Sequence, residues 1–402
     1  MSRANDGTAA SGAVGSGAPP AGVPARRPRD PRLDVWRGLA MLIILVAHIP
    51  ENGWSTWIPA KFGPSDAAEM FVFCSGYAAA IAFGGTFARH GWWMGTRRIL
   101  FRCWQIYWVH VILFLVVAAV CVIANEIVDR SGVDYTIKLN IAPFFENTAV
   151  ALVGLLTFDW VPNYFDILPM YTVILLMTPL VVALQRLHTG LALAFCIGLY
   201  VATWLFDLHL PAEPWSDRPW FFNPLAWQIL FFTGFVLGRG WIAPPPIDGR
   251  LAAAALVFIL LLIPVSRWQI YTLHPLLQSI NDLLWLRDTS YDRYFKTNEH
   301  PIRYLHLLAL TYVAVWAVRG REHHLRRWPL SMIEKVGQQA LATFVFSMAL
   351  AWALGVVLDE VGRGPAALAA ANIGGLAAVI AVAYVVGWYK SEPWRRAPQV
   401  RD

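Results

Sequence analysis

Long apolar runs separated by short polar joints dominate the chain. Runs of spanning length lie at residues 33–49, 67–83, 99–124, 165–184, 190–206, 220–237, 251–265, 302–318, 340–358 and 366–388. A helix of about 17–25 apolar residues crosses the hydrocarbon core with its backbone polar groups satisfied internally. The pattern therefore predicts an all-α, polytopic integral membrane protein with about ten transmembrane helices. A further run, 149–158, is too short to span and is predicted to be re-entrant or interfacial.

Composition supports that class. The 402 residues are 57% hydrophobic and only 14% charged, where a soluble domain carries about 25% charged residues. The net charge of +6 has no soluble basic domain to sit on, which argues against nucleic acid as a partner. It reports orientation instead. With ten spans and the N-terminus inside, most Lys and Arg fall on the cytosolic side, above all in the 319–335 loop, so both termini are predicted to be cytosolic. Residues 1–28 read as a disordered cytosolic tail, 29–390 as the transmembrane domain and 391–402 as a second short tail. The tail lacks the apolar stretch of a cleaved signal peptide. Cys74, Cys103, Cys121 and Cys196 lie in apolar runs without metal-ligand spacing and read as packing residues, and no metal site is predicted.

Candidate chemistry comes from ionisable groups inside the spans, which are costly there and face a cavity or a partner. The first run holds Asp34, Arg37 and His48. Eleven residues separate Arg37 from His48, about 20° from three full helical turns and about 16 Å of rise. Asp34 and Arg37 are an i, i+3 pair, so the three share one face; a snorkelling ion pair with an interfacial His is the plainer alternative. Glu69 opens the second run at the level where His48 ends the first. It is either a partner that orients the imidazole or a helix-start carboxylate. Arg97, Arg98 and Arg102 open the third run. They serve topology or, with Arg37, anion binding at the inner mouth. His110 lies mid-span and reads as a hydrogen-bonded structural residue. Asp166 opens the fourth run as an N-cap or a site carboxylate. Arg303 and His306 begin the eighth and are placed against an outer cavity. Trp268 and the other aromatics of the outer loops (Trp215, Trp220, Tyr271, Trp285, Tyr291, Tyr294) form an interfacial belt or a stacking surface for sugars. Gly234 and Gly238 form a small-xxx-small packing pair, and Ser75-Gly76 reads as close packing rather than as a nucleophile.

Several segments together resemble the OpgC family: Asp30-Pro31-Arg32-Leu33-Asp34-Val35-Trp36-Arg37-Gly38, His48-Ile49-Pro50-Glu51-Asn52, Glu69-Met70-Phe71-Val72-Phe73-Cys74-Ser75-Gly76-Tyr77, Asp166-Ile167-Leu168-Pro169-Met170-Tyr171 and Phe222-Asn223-Pro224-Leu225-Ala226-Trp227-Gln228. The resemblance covers nearly all of residues 30–390. More distantly the chain is similar to the acyltransferase-3 superfamily, through the Arg37–His48 spacing, Ser75-Gly76-Tyr77 and the Arg97-Arg98-Arg102 cluster. OpgC proteins are bacterial inner-membrane enzymes that succinylate periplasmic glucans. The resemblance implies a membrane O-acyltransferase that takes acyl-CoA, succinyl-CoA or acetyl-CoA, as a donor substrate from the cytosol and holds no permanent cofactor. His48 and Glu69 would be catalytic. Arg37, Arg97, Arg98 and Arg102 would bind the CoA phosphates. Asp34, Asp166, Arg303, His306 and Trp268 would contact substrate, with Arg303 the candidate for a distal carboxylate on the donor.

Readings from other classes stay open. An O-acetyltransferase of another envelope glycan needs the same residues. A transporter or flippase would also carry intramembrane charge, but no repeat relating two halves of the chain is visible. A scaffold would leave the Asp34–Arg37–His48 stripe without a use. The acceptor glycan and a homodimer are likewise left open.

Overall fold

The computed structural model describes residues 30–128, 132–284 and 296–395. The two predicted tails, apart from residues 391–395, and Trp285, Tyr291 and Tyr294 lie outside the described residues. The helices are α1 (Pro31–His48), α2 (Ala67–Ile123), α3 (Tyr135–Lys138), α4 (Ala142–Glu146), α5 (Thr148–Thr157), α6 (Ile167–Leu187), α7 (Thr189–Phe206), α8 (Pro224–Arg239), α9 (Gly249–Ser266), α10 (Trp268–Tyr271), α11 (Pro275–Leu283), α12 (Pro301–Val318), α13 (Leu330–Gln338), α14 (Ala340–Val361) and α15 (Pro365–Lys390). Among the described residues the only β pairing is a Pro211–Pro219 bridge.

Seven described helices are long and apolar enough to cross a membrane: α2, α6, α7, α9, α12, α14 and α15. Every one of the ten predicted runs contains helix, and the difference in number has three local causes. Helix α1 has spanning length but carries Arg32, Asp34 and Arg37. Helix α8 has 16 residues. Helix α2 holds two predicted runs in one 57-residue element, which would be about 85 Å long if straight. It is not straight. Gly91 adopts φ 79° and ψ 175°, a backbone region open to glycine, and the chain turns back on itself there. Thr86 and Arg98 therefore share a hydrogen bond of 2.6 Å across the turn. The short run predicted to be re-entrant or interfacial forms the ten-residue α5, which is closed by Phe158 with φ 63°.

Start signals fix the element ends. Asp66 caps α2 in a reciprocal box: its side chain accepts from Ala68 N at 2.7 Å, and Asp66 N donates to Glu69 Oε2 at 2.8 Å. Asn223 caps α8 ahead of Pro224, and His300 caps α12 ahead of Pro301.

The core is built on α2, which packs on α8 and α6, with α1 set between α2, α13 and α14. Met41, Leu45, Phe114, Phe231 and Phe344 are buried within it. Two contacts are backbone to backbone. A Cβ on Gly76 would fall on the Phe231 carbonyl, and one on Gly234 would fall on that of Phe73, so α2 and α8 touch along small residues as the sequence pattern predicts. Gly38 and Gly337 join α1 to α13 in the same way. Helix α9 packs chiefly on α12, to one side of this core. All four cysteines are buried and free.

Candidate active site

The N-terminal end of α1 faces the hairpin of α2. Asp34 is buried and holds Arg37 at 3.9 Å, one turn along the helix. Arg37 in turn lines a cavity of about 370 Å³ together with Arg98, Arg102, Ser75, Gln105 and Tyr171. The Gly91 turn delivers Arg98 to this cavity, where Thr86 accepts from its Nη1 and the guanidinium lies 5.5 Å from the Phe83 ring. Arg102 donates to Gln105 Oε1 at 3.2 Å, and Arg37 Nε is buried without a hydrogen-bond partner. Three of the four predicted arginines thus converge. Arg97 does not: it is exposed and absent from the lining, because adjacent helical residues point about 100° apart. Asp34 does not line the cavity either. Its carboxylate faces Arg37 on the next turn of the helix.

At the other end of α1, His48 is half-buried, and it is not among the residues that line the arginine cavity. Its Nδ1 lies 2.8 Å from the Ile44 carbonyl oxygen. A carbonyl only accepts, so Nδ1 carries the proton and Nε2 keeps its lone pair in the neutral ring. Tyr164 meets the imidazole edge-to-face at 5.5 Å.

Glu69 does not orient His48. It is fully buried, its Oε1 accepts from Arg303 and its Oε2 from the Asp66 amide. Around this pair stand Lys296, 2.5 Å from Asp66 Oδ2, and Glu299, 3.8 Å from Arg303 Nε. Burial alone raises the Asp66 carboxyl, but Lys296 and then Arg303 hold it below the usual carboxylate range. Burial, then the Glu69 charge, pushes the Glu299 carboxyl well above the ordinary glutamate range. Glu299 is fully buried, and neither of its carboxyl oxygens has a hydrogen-bond partner. A protonated Glu299 leaves two carboxylates facing two cations, a neutral set that a low-dielectric site can hold. Arg303 is thereby committed to carboxylates of its own chain. It is not the spare cation expected for a donor's distal carboxylate. His306 packs beside it, with Nδ1 2.7 Å from Ser65 Oγ.

The remaining predicted residues are dispersed. Trp268 is exposed on α10 and lines neither cavity. A second cavity, about 410 Å³, is lined instead by Val46, Trp54, Trp57 and Ile58, directly around the end of α1. Arg267 stacks over Trp57 at 5.0 Å and Phe62 at 4.2 Å. Trp220 is buried and donates to Pro211 O, a packing role. His110 is buried edge-on to Phe158, and its nitrogens have no hydrogen-bond partner, which corrects the expectation of a bonded structural histidine.

Asp166 is buried before α6 and makes no side-chain cap; its Oδ1 accepts from Phe221 N at 3.4 Å. Burial pushes its carboxyl up to about 7, against a smaller downward pull from Arg218. Between the unfolded value near 3.8 and about 7 the folded state holds the extra proton. Stability from this group is therefore full below about pH 4, declines as pH rises and is gone above about pH 7. Asp166→Asn is expected to remove the decline, which is worth on the order of 4 kcal/mol at most. Melting temperatures of both proteins in detergent between pH 5 and 8 check this; parallel curves would refute it.

A family model described as OpgC protein matches residues 29–391. The chain belongs to the OpgC family. Neither a curated protein nor a solved structure matches it. Membership of the OpgC family identifies a glucan-modifying acyltransferase of the membrane. Several residues of this OpgC chain escaped the sequence reading. Tyr171 stands in a quoted motif without a role, and Ser75, which reads as close packing in the sequence, lines the arginine cavity. Trp54 and Trp57 had a signal: two tryptophans three residues apart, just after His48. Tyr164 had none, and neither did Asn372, whose reciprocal amide pair with Asn52 of a quoted motif has bonds of 2.8 and 2.9 Å, because only the fold brings these two to the end of α1.

Proposed function

We propose that the protein transfers an acyl group, succinyl in the first instance, from acyl-CoA to hydroxyls of a periplasmic glucan. It does so in the bacterial inner membrane, with the N-terminal end of α1 toward the cytosol. The observation that carries this is the convergence of Arg37, Arg98 and Arg102 on one cavity. Three fixed cations beside hydroxyl and amide groups suit the phosphates of CoA, because charge-assisted bonds gain strength away from water.

The pantetheine arm then runs along α1 toward His48, about 16 Å away by helical rise. Opening of that path is part of the proposal. His48 Nε2 takes the proton of the acceptor hydroxyl as the oxygen attacks the thioester carbonyl. A C–O bond forms, the C–S bond breaks, and the imidazolium returns its proton to the CoA sulfur. Glu69 holds Arg303 and has no proton to move in this scheme. Glucan rings lie against Trp54 and Trp57, and Asp166 supplies a polar group two residues from Tyr164.

Purified protein incubated with labelled succinyl-CoA and glucan is expected to form a base-labile glucan ester. Ester formed only from acetyl-CoA supports an O-acetyltransferase. Vectorial movement of glucan in proteoliposomes without ester supports a flippase and overturns the proposal.

A further inference from the structure

We propose that Tyr164 is the positioning residue for His48. This rests on the acyl-transfer reading, in which His48 moves the proton, but its contact is testable apart from it. Tyr164 lies between α5 and α6 with φ 83°. That region suits glycine, and an aromatic residue there is strained. Such strain persists only where the surroundings fix it, and it gathers at functional sites.

The surroundings do fix it. Phe165 N donates to Pro162 O at 3.1 Å and closes a turn around Tyr164. The Tyr164 hydroxyl donates to Met348 O of α14 at 2.5 Å. One side of the ring meets Trp352 at 5.7 Å. The same ring meets the His48 imidazole at 5.5 Å with an interplanar angle of 74°.

His48 needs such a partner. A single hydrogen bond from Nδ1 to Ile44 O sets the tautomer but lets the ring pivot about that bond. Glu69, the carboxylate that would otherwise hold the imidazole, is spent on Arg303. The edge-to-face contact with Tyr164 removes the pivot and fixes where Nε2 points. The strained backbone thus places an α14-anchored ring against the α1 imidazole, linking three parts of the chain through one side chain.

The test uses full-length protein in native lipid, with Tyr164→Leu, Tyr164→Phe and His48→Ala. Tyr164→Leu is expected to lower kcat about 100-fold, as small misplacements of a reacting group do, with KM for succinyl-CoA unchanged. Tyr164→Phe keeps the ring and is expected to recover most of that loss. A second readout needs no activity: the rate at which diethyl pyrocarbonate modifies His48, followed by peptide mass spectrometry. It should rise several-fold in Tyr164→Leu and stay near wild type in Tyr164→Phe. Wild-type kcat and wild-type His48 modification in a folded Tyr164→Leu protein would overturn the proposal. So would a kcat loss in Tyr164→Phe as large as that in Tyr164→Leu, the variant that also covers a leucine protein too unstable to purify. If His48→Ala retains acylation while Tyr164→Leu still changes His48 modification, the contact stands and the catalytic reading of His48 falls.

Discussion

His48→Ala is expected to reduce glucan acylation by about 10²–10⁴-fold, the usual contribution of a positioned general base. The Ile44 carbonyl fixes the proton on Nδ1, which leaves Nε2 as the basic atom, and His48 stands at the far end of the helix that carries Arg37 into the arginine cavity. Ester formation from labelled succinyl-CoA measures it, with protein level in the membrane fraction as the control. Activity within a few-fold of wild type would take His48 out of the mechanism. The arginine cavity would then have to serve binding alone.

Arg303→Ala is expected to destabilise the protein by about 3–5 kcal/mol, because it strands a fully buried Glu69 beside Asp66 and Glu299. Glu69 also closes the α2 capping box, so the damage reaches the start of that helix. Replacing both partners, Arg303→Met with Glu69→Gln, is expected to recover much of the loss, since breaking a buried pair costs more than removing it. Thermal melting in detergent, read by size-exclusion fluorescence, distinguishes the three proteins. A double variant no better than Arg303→Ala would mean that the pair does more than compensate charge.

The arginine site was half legible. Arg98 and Arg102 are four residues apart and share a helix face, which any sequence shows. That Arg37 joins them depends on α1 packing against α2. Arg97 looked equal to its neighbours in sequence and is excluded only by the face it occupies. The histidine site was less legible. Glu69 begins its helix at the level where His48 ends, and that shared level suggested a partnership. Arg303, 234 residues away, outcompetes the imidazole because a permanent cation compensates a buried carboxylate better than a neutral ring does.

Hydrophobic patterning by itself determined the all-helical membrane class and the location of the helices, because the bilayer leaves the backbone few choices and the length of an apolar run is read directly. Cap residues and the Gly234–Gly238 spacing likewise act locally and were written in the chain. Only the tertiary structure decided which charges pair, which arginines share a cavity and which ring meets His48. These depend on contacts between elements far apart in sequence, and a buried charge takes whichever partner the packing brings within reach. The reversal at Gly91 belongs to both levels: glycine permits it, and the packing of the two arms uses it.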